Sequence, residues 1–291
     1  MTEIYLIRHT QAEGNMYRMM QGHWDGKITP HGCKEMEKLS ERFADIHIDA
    51  LYSSDLSRAY KTAAAVAESV EQEIITDPRL REISMGPLDG EFFGNMAWEN
   101  PELSYVFMHD SEQWHFDGAE TFPEVGERLY SAVTDIASRH EGQTIAIVSH
   151  GISIRCLLSK VNNAPFSDIE KCPICKNTAV SKLIYENGNL TCEYLNDYSH
   201  LGELGEYHWW STADLRDEER KEGGTTVFDL FDRETPAGRI KIDEGAGKLL
   251  SLEMYGSYSN KPCEIQARAR AIKRFRQLGF DTTELENENY E

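Results

Sequence analysis

Ile4-Tyr5-Leu6-Ile7-Arg8-His9-Thr10 is a short apolar run that ends in an Arg-His pair, with polar Gln11-Ala12-Glu13-Gly14-Asn15 behind it. A run of about four to eight apolar residues bounded by polar and glycine residues fits a buried strand, because a helix needs a longer periodic segment. In open α/β sheets ligands gather beyond the ends of the strands, so Arg8 and His9 are expected at a binding site. One dipeptide is a weak signal, since surface Arg and His also follow edge strands. Its weight comes from two further segments built the same way.

Ala50-Leu51-Tyr52-Ser53-Ser54 reads as a second strand, followed by an Ala-rich helix from Asp55 to Ala65 with Arg58 in its first turn. Free N–H groups and the positive end of the helix dipole favour an anion there, and a guanidinium adds to them. Thr144-Ile145-Ala146-Ile147-Val148 is a third strand, Ser149-His150-Gly151 a sharp turn, and Ile152 to Lys160 a helix. Two His and two Arg thus fall at strand ends in a chain that alternates strand and helix as a doubly wound sheet requires. Together they are expected to form a phosphate pocket. Between the first two units, Gln21 to Gly26 is loop-like, and Thr29-Pro30 supplies an N-cap and a proline to open a helix running to about Phe43.

A length of 291 residues allows one large domain or a mid-sized domain plus a small one. Thirty basic against fifty acidic residues give a formal charge of -20, which repels nucleic acid and anionic membrane surfaces at long range. No run reaches the roughly eighteen apolar residues of a membrane span, and the first residues lack the basic start and apolar core of a signal peptide. A cytoplasmic location is expected. Six scattered cysteines are too few for a disulfide scaffold, and Cys172-Pro173-Ile174-Cys175 lacks the second ligand pair of a zinc site, so core or loop thiols are expected.

These segments resemble the histidine phosphatase superfamily, the phosphoglycerate mutase-like family, from Met1 to about Asn196. The opening pattern, a strand and then Arg-His-Gly-x-x-x-x-x-Asn, is met by Arg8, His9 and Asn15, with Thr10 where Gly is usual. Gln21-Gly22, Ser53 to Ala59, Leu80-Arg81-Glu82 and Ser149-His150-Gly151 follow in the family's order. The resemblance implies an α/β three-layer sandwich with a mostly parallel central sheet. It also implies a mechanism without metal or cofactor: neutral His9 attacks phosphorus and becomes phosphohistidine, while Arg8, Arg58 and His150 hold the phosphoryl oxygens, with Asn15, Gln21 and Gly22 contributing to binding. The surrounding cations should keep His9 unprotonated. The side chain of Thr10 is expected beside the pocket, narrowing it.

A leaving alcohol needs a proton, and Glu82 stands at the matching family position, with Asp89 and Glu91 close enough in sequence to substitute. Gly151 after His150 separates this chain from the acid phosphatase and phytase branch, which carries Asp there. From Glu82 to Glu127, the stretch that corresponds to the family's substrate lid, there are eleven acidic residues and no Lys or Arg. A mutase must hold a bisphosphorylated intermediate with basic groups on the far side of its site, so hydrolysis is expected over phosphate return, with a mutase or a non-catalytic phospho-ligand binder as alternatives. The rings of Phe92, Phe93, Trp98, Tyr105, Phe107, Trp114 and Phe116 either pack on each other or in part face the pocket. The expected partner is a small phosphorylated substrate, and nothing in the residues sets an oligomeric state.

Lys182 to Leu195 reads as a hairpin turned at Asn187-Gly188. The first domain is therefore placed at 1–196. Residues 197–291 read as a small α+β appendage: a charged segment with the Trp209-Trp210 pair, strands near Val227–Phe231, Ile240–Ile242 and Leu250–Met254, a helix from about Cys263 to Leu278, and a frayed acidic tail. Lys248 to Gly279 faintly resembles the coenzyme A-binding part of the GNAT acetyltransferases. Its pyrophosphate loop would fall on Ser259, Pro262 and Glu264, of which Pro262 has no N–H and Glu264 adds negative charge, so a degenerate remnant without acetyl transfer is expected.

Overall fold

In the computed structural model, which describes residues 1–172, 174–206 and 213–290, the opening apolar run forms β1 (Thr2–Arg8). Along the chain follow α1 (Glu13–Tyr17), α2 (Pro30–Phe43), β2 (Ala50–Ser53), α3 (Ser57–Val70) and β3 (Ile74–Thr76). Next come α4 (Phe93–Glu99), α5 (Pro101–His109), α6 (Phe122–Ser138), β4 (Thr144–Ser149), α7 (Gly151–Val161), β5 (Val180–Glu186) and β6 (Asn189–Asp197). The C-terminal part holds β7 (Arg216–Glu222), β8 (Thr225–Asp232), β9 (Thr235–Asp243), β10 (Lys248–Met254), α8 (Lys261–Gln277) and α9 (Thr283–Glu288). Pro173, the Trp209-Trp210 pair and residue 291 lie outside the described residues.

The first sheet has the order β3-β2-β4-β1-β5-β6. Its first four strands are mutually parallel, and β5–β6 is an antiparallel hairpin added at one edge. Parallel strands are covered on both faces, which is why they read as unbroken apolar runs. Ile4, Leu6, Ile145 and Ile147 pack under α6 and α7, while Ile7, Leu51 and Val148 pack under α2 and α3, so three layers result. The α6 side chains Val125, Leu129, Val133 and Ile136 are fully buried, each contributing about 1.5–3 kcal/mol relative to exposure. Thr29 caps α2 through the Gly32 N–H, as its position before Pro30 implies. The hairpin turns at Asn187 (φ 51°) and Gly188 (φ 82°), both left-handed as a type I′ turn requires.

Contacts divide the chain into two compact units, and the division is not a single cut near residue 196. The first comprises Met1–Ala12, Gln21–Asp89 and the chain from Glu102 to the hairpin and its following turns. The second joins Glu13–Met20 and Gly90–Pro101 to the C-terminal residues, so α1 and α4 cluster with β7–β10, α8 and α9. The second sheet is antiparallel throughout, in the order β10-β9-β8-β7. One of its faces is closed by α8, whose Ala267, Ala271 and Phe275 pack on Phe228, Leu230, Ile240 and Ile242.

What draws α1 and α4 into that unit is buried charge. Arg276 of α8 makes a two-pronged pair with Glu13 (2.6 and 3.0 Å) and also meets Glu286 (2.8 Å). Arg270 pairs with Asp217 at 2.8 Å and stacks 4.0 Å over the Phe92 ring. The acidic tail is accordingly not frayed: Glu286 and Asn289 are buried, held by Arg276 and by Tyr17 and Arg268. Within the lid-like stretch, Phe107 packs edge-on against Trp114 (4.8 Å) and Phe122 (5.3 Å), and Trp98 lies under Arg216, so these rings serve packing.

Candidate active site

Parallel register brings the two histidines together. Arg8 stands opposite Ser149, so β1 and β4 end level, and the His9 N–H donates to the Ser149 carbonyl at 2.9 Å. The residues that follow, His9 and His150, have ring centroids 5.1 Å apart. Ser53 of β2 stands beside Val148, which sets the start of α3, and with it Arg58, at the same end of the sheet. Arg8, His9, Arg58 and His150 are all buried. The three strand ends expected to converge do converge.

A carbonyl oxygen only accepts, so the 2.7 Å contact between His9 Nδ1 and the Thr10 carbonyl places the proton on Nδ1 and leaves the lone pair on Nε2. His150 Nε2 is 2.8 Å from Ser54 Oγ, while its Nδ1 has no hydrogen-bond partner among the described residues. Burial, then Arg58, then Arg8 hold the His9 imidazole well below its ordinary value. Burial, Arg58 and His9 do the same for His150. Both rings are therefore neutral near pH 7.

Each arginine is pinned by its terminal nitrogens. Arg58 Nη1 donates to the Trp24 carbonyl (3.0 Å) and Asp25 (2.8 Å), and Nη2 donates to the Gly22 carbonyl (2.7 Å). Arg8 Nη1 donates to the Cys175 carbonyl. In both, Nε is buried with no hydrogen-bond partner among the described residues. Two guanidinium edges thus keep a donor to spend on an anion, and such side-on edges match phosphate oxygens. Gly22 takes φ +41°, and a Cβ there would sit 1.7 Å from Asp89 Oδ1, so only glycine presents this carbonyl to Arg58. The Gln21 Oε1 is buried and likewise unbonded among the described residues.

Glu82 is buried at the start of α7, where Oε1 accepts from the N–H groups of Ile83 (3.0 Å) and Ser153 (2.9 Å) and Oε2 from Ile152 (3.1 Å). Asp89 lies in the same unit, its carboxyl pushed up by burial while it accepts from the His23 and Met85 N–H groups. Glu91 is in the other unit, paired to Lys273 at 2.9 Å. Asn15 is buried in α1, also within the second unit. Thr10 departs from expectation: its hydroxyl turns to α2, reaching the Gly32 carbonyl (2.7 Å) and Glu35 (2.8 Å), so it ties the loop down instead of narrowing a pocket.

Sequence reading missed three contributors. Asp25 orients Arg58, Glu35 lies buried behind Thr10, and His23 Nε2 stands 3.0 Å from the Glu82 carbonyl. His23 and Asp25 follow Gln21-Gly22 directly, which was the available signal. The cysteines of the Cys-Pro-Ile-Cys stretch are buried, and burial pushes the Cys175 thiol up to about 11, outside the reactive range.

The α/β sheet thus ends in paired buried histidines and two arginines whose Nε donors are unbonded among the described residues, an arrangement that suits an anion. The sequence pattern of the histidine phosphatase superfamily (branch 1) matches residues 4–198, and the chain belongs to that superfamily; it is a phosphomonoesterase in class. A probable phosphoglycerate mutase GpmB of Proteus mirabilis is 29% identical over 209 residues, covering 70% of this chain and 97% of its own. A putative phosphoserine phosphatase 2 of Hydrogenobacter thermophilus is 29% identical over 207 residues, covering 70% of this chain and 100% of its own. Among solved structures, Bacillus stearothermophilus YhfR superposes with a TM-score of 0.67 at 29% identity, covering 69% of this chain and 100% of its own.

Proposed function

We propose that the protein hydrolyses small phosphate monoesters through a phosphohistidine on His9. The observation that carries this reading is the His9 Nδ1 contact with the Thr10 carbonyl, which leaves Nε2 as a lone pair beside His150. Nε2 attacks phosphorus in line as the P–O bond to the alcohol breaks, and the departing oxygen takes a proton from Glu82. Oε2 of Glu82, with one backbone contact against two on Oε1, is the oxygen to carry that proton. Arg8 and Arg58, through their Nε edges, and His150, through Nδ1, meet the charge on the equatorial oxygens. Water then breaks the P–N bond, releasing phosphate, and its proton returns to Glu82. No metal or cofactor enters these steps.

Release of phosphate from p-nitrophenyl phosphate in EDTA tests the reading, wild type against His9→Ala. We expect a loss of at least about a thousandfold, together with an acid-labile phosphoryl label on the wild type alone. Undiminished turnover in the variant sinks the proposal. The second reading, a phosphoglycerate mutase-type transfer, rests on the name of the Proteus relative. Against it, the stretch from Glu82 to Glu127 offers no Lys or Arg for a second phosphate. Equal or faster phosphate return than hydrolysis on a sugar or glycerate bisphosphate decides for the mutase. The charge of -20 and the reduced, scattered cysteines support a cytoplasmic enzyme without nucleic-acid partners.

A further inference from the structure

Glu35 projects from α2 and is almost fully buried, yet the mechanism above gives it nothing to do. Burying a carboxylate is costly unless hydrogen bonds hold it, so its partners indicate its role. Oε2 accepts from the Gln11 N–H at 2.7 Å and from the Thr10 hydroxyl at 2.8 Å, and His31 Nε2 lies 3.5 Å from Oε1. The Gln11 N–H and the Thr10 carbonyl are two ends of one planar peptide group. That same carbonyl accepts the His9 Nδ1 proton at 2.7 Å. A continuous line therefore runs from the Glu35 carboxylate through the Thr10–Gln11 peptide to the imidazole.

We propose that Glu35 is a positioning residue for His9, fixing the ring's orientation and its Nδ1–H tautomer through the Thr10–Gln11 peptide plane. The inference rests on the reading of His9 as nucleophile. A peptide pinned at its N–H cannot rotate its carbonyl away, and drawing on the N–H makes the carbonyl a stronger acceptor for Nδ1–H. Thr10 adds a second link, its one hydroxyl proton shared between Glu35 and the Gly32 carbonyl. Its amide is held in turn by Thr62 Oγ1 at 2.9 Å, a residue of α3 one turn beyond Arg58. Close approach is built in at Gly32, where a Cβ would stand 2.3 Å from the Gln11 carbonyl. The tautomer matters because a proton on Nε2 removes the attacking lone pair.

Single-turnover phosphorylation of the full-length protein by p-nitrophenyl phosphate, with 15N resonances of the His9 ring, tests this. Glu35→Ala should slow phosphoenzyme formation about tenfold with KM little changed, the scale of a misplaced catalytic group, and should populate the Nε2–H tautomer. Glu35→Gln keeps an acceptor oxygen for the Gln11 N–H and should restore both the rate and the Nδ1–H signature. A wild-type rate in Glu35→Ala overturns the inference, as does a slow Glu35→Ala whose ring stays wholly Nδ1–H. Should Glu35→Ala fail to fold, Glu35→Met fills the same space without an acceptor for the Gln11 N–H; a mixed tautomer there supports the role, and a wild-type rate with a wholly Nδ1–H ring refutes it. A His9→Ala protein that still turns over would overthrow the nucleophile assignment itself, a result separate from any of these.

Discussion

Keeping an imidazole unprotonated in a cluster of cations has a thermodynamic consequence at the residue scale. His9 and His150 both sit well below the ordinary value of 6.5 when folded, chiefly through burial, so below pH 6.5 the unfolded chain binds protons the folded one refuses. Their contribution is whole above pH 6.5 and is lost as pH falls below it, at up to about 1.4 kcal/mol per pH unit for each ring. Urea midpoints should therefore drop between pH 7.5 and 5.5, and the drop should be shallower in His150→Asn; identical slopes in the two proteins contradict the burial account. Glu82 supplies a second residue-scale prediction. Glu82→Gln should cost about a hundredfold on an alkyl phosphate, whose alkoxide needs a proton, but only a few-fold on p-nitrophenyl phosphate. Equal losses on both substrates mean that Glu82 acts by position and not as the acid.

At the scale of elements, the loop Gln21 to Asp25 is the seat of Arg58: two carbonyls and one carboxylate hold its terminal nitrogens. Gly22→Ala forces a Cβ onto Asp89 in a left-handed backbone, and should destabilise the fold by at least about 1 kcal/mol while lowering the rate by more than KM rises. A thermal melt with steady-state kinetics reads both, and unchanged stability in the Gly22→Ala variant removes the strain argument. Much at this scale was legible beforehand. Apolar runs gave β1, β2 and β4, Thr29-Pro30 gave the start of α2, and Asn187-Gly188 gave the hairpin, since each follows from local chemistry. Glu35 and Thr10 were illegible because their meaning lies in a contact across twenty-five positions, and a buried Glu on an amphipathic helix looks like a solvated one until the loop above it is placed.

For the whole molecule, sequence periodicity found the strands of the C-terminal part but not that Glu13–Met20 and Gly90–Pro101 cluster with them. Nothing local marks those segments, because their attachment is by charge pairs such as Glu13–Arg276 and by Phe92 beneath Arg270. Arg276→Met should lower unfolding free energy by about 3 kcal/mol in urea titration, since Glu13 and Glu286 are left buried without this cation. A change under about 1 kcal/mol shows that the pair is replaceable by apolar packing.

That pairing also has a timetable. Synthesis runs from the amino end, so Glu13 is made 263 residues before the guanidinium that grips it. Through that interval α1 waits for the helix it will close on, even when every strand of the parallel sheet has already emerged from the ribosome. Chains released before residue 276 should be cleared by proteases instead of persisting as shortened enzymes.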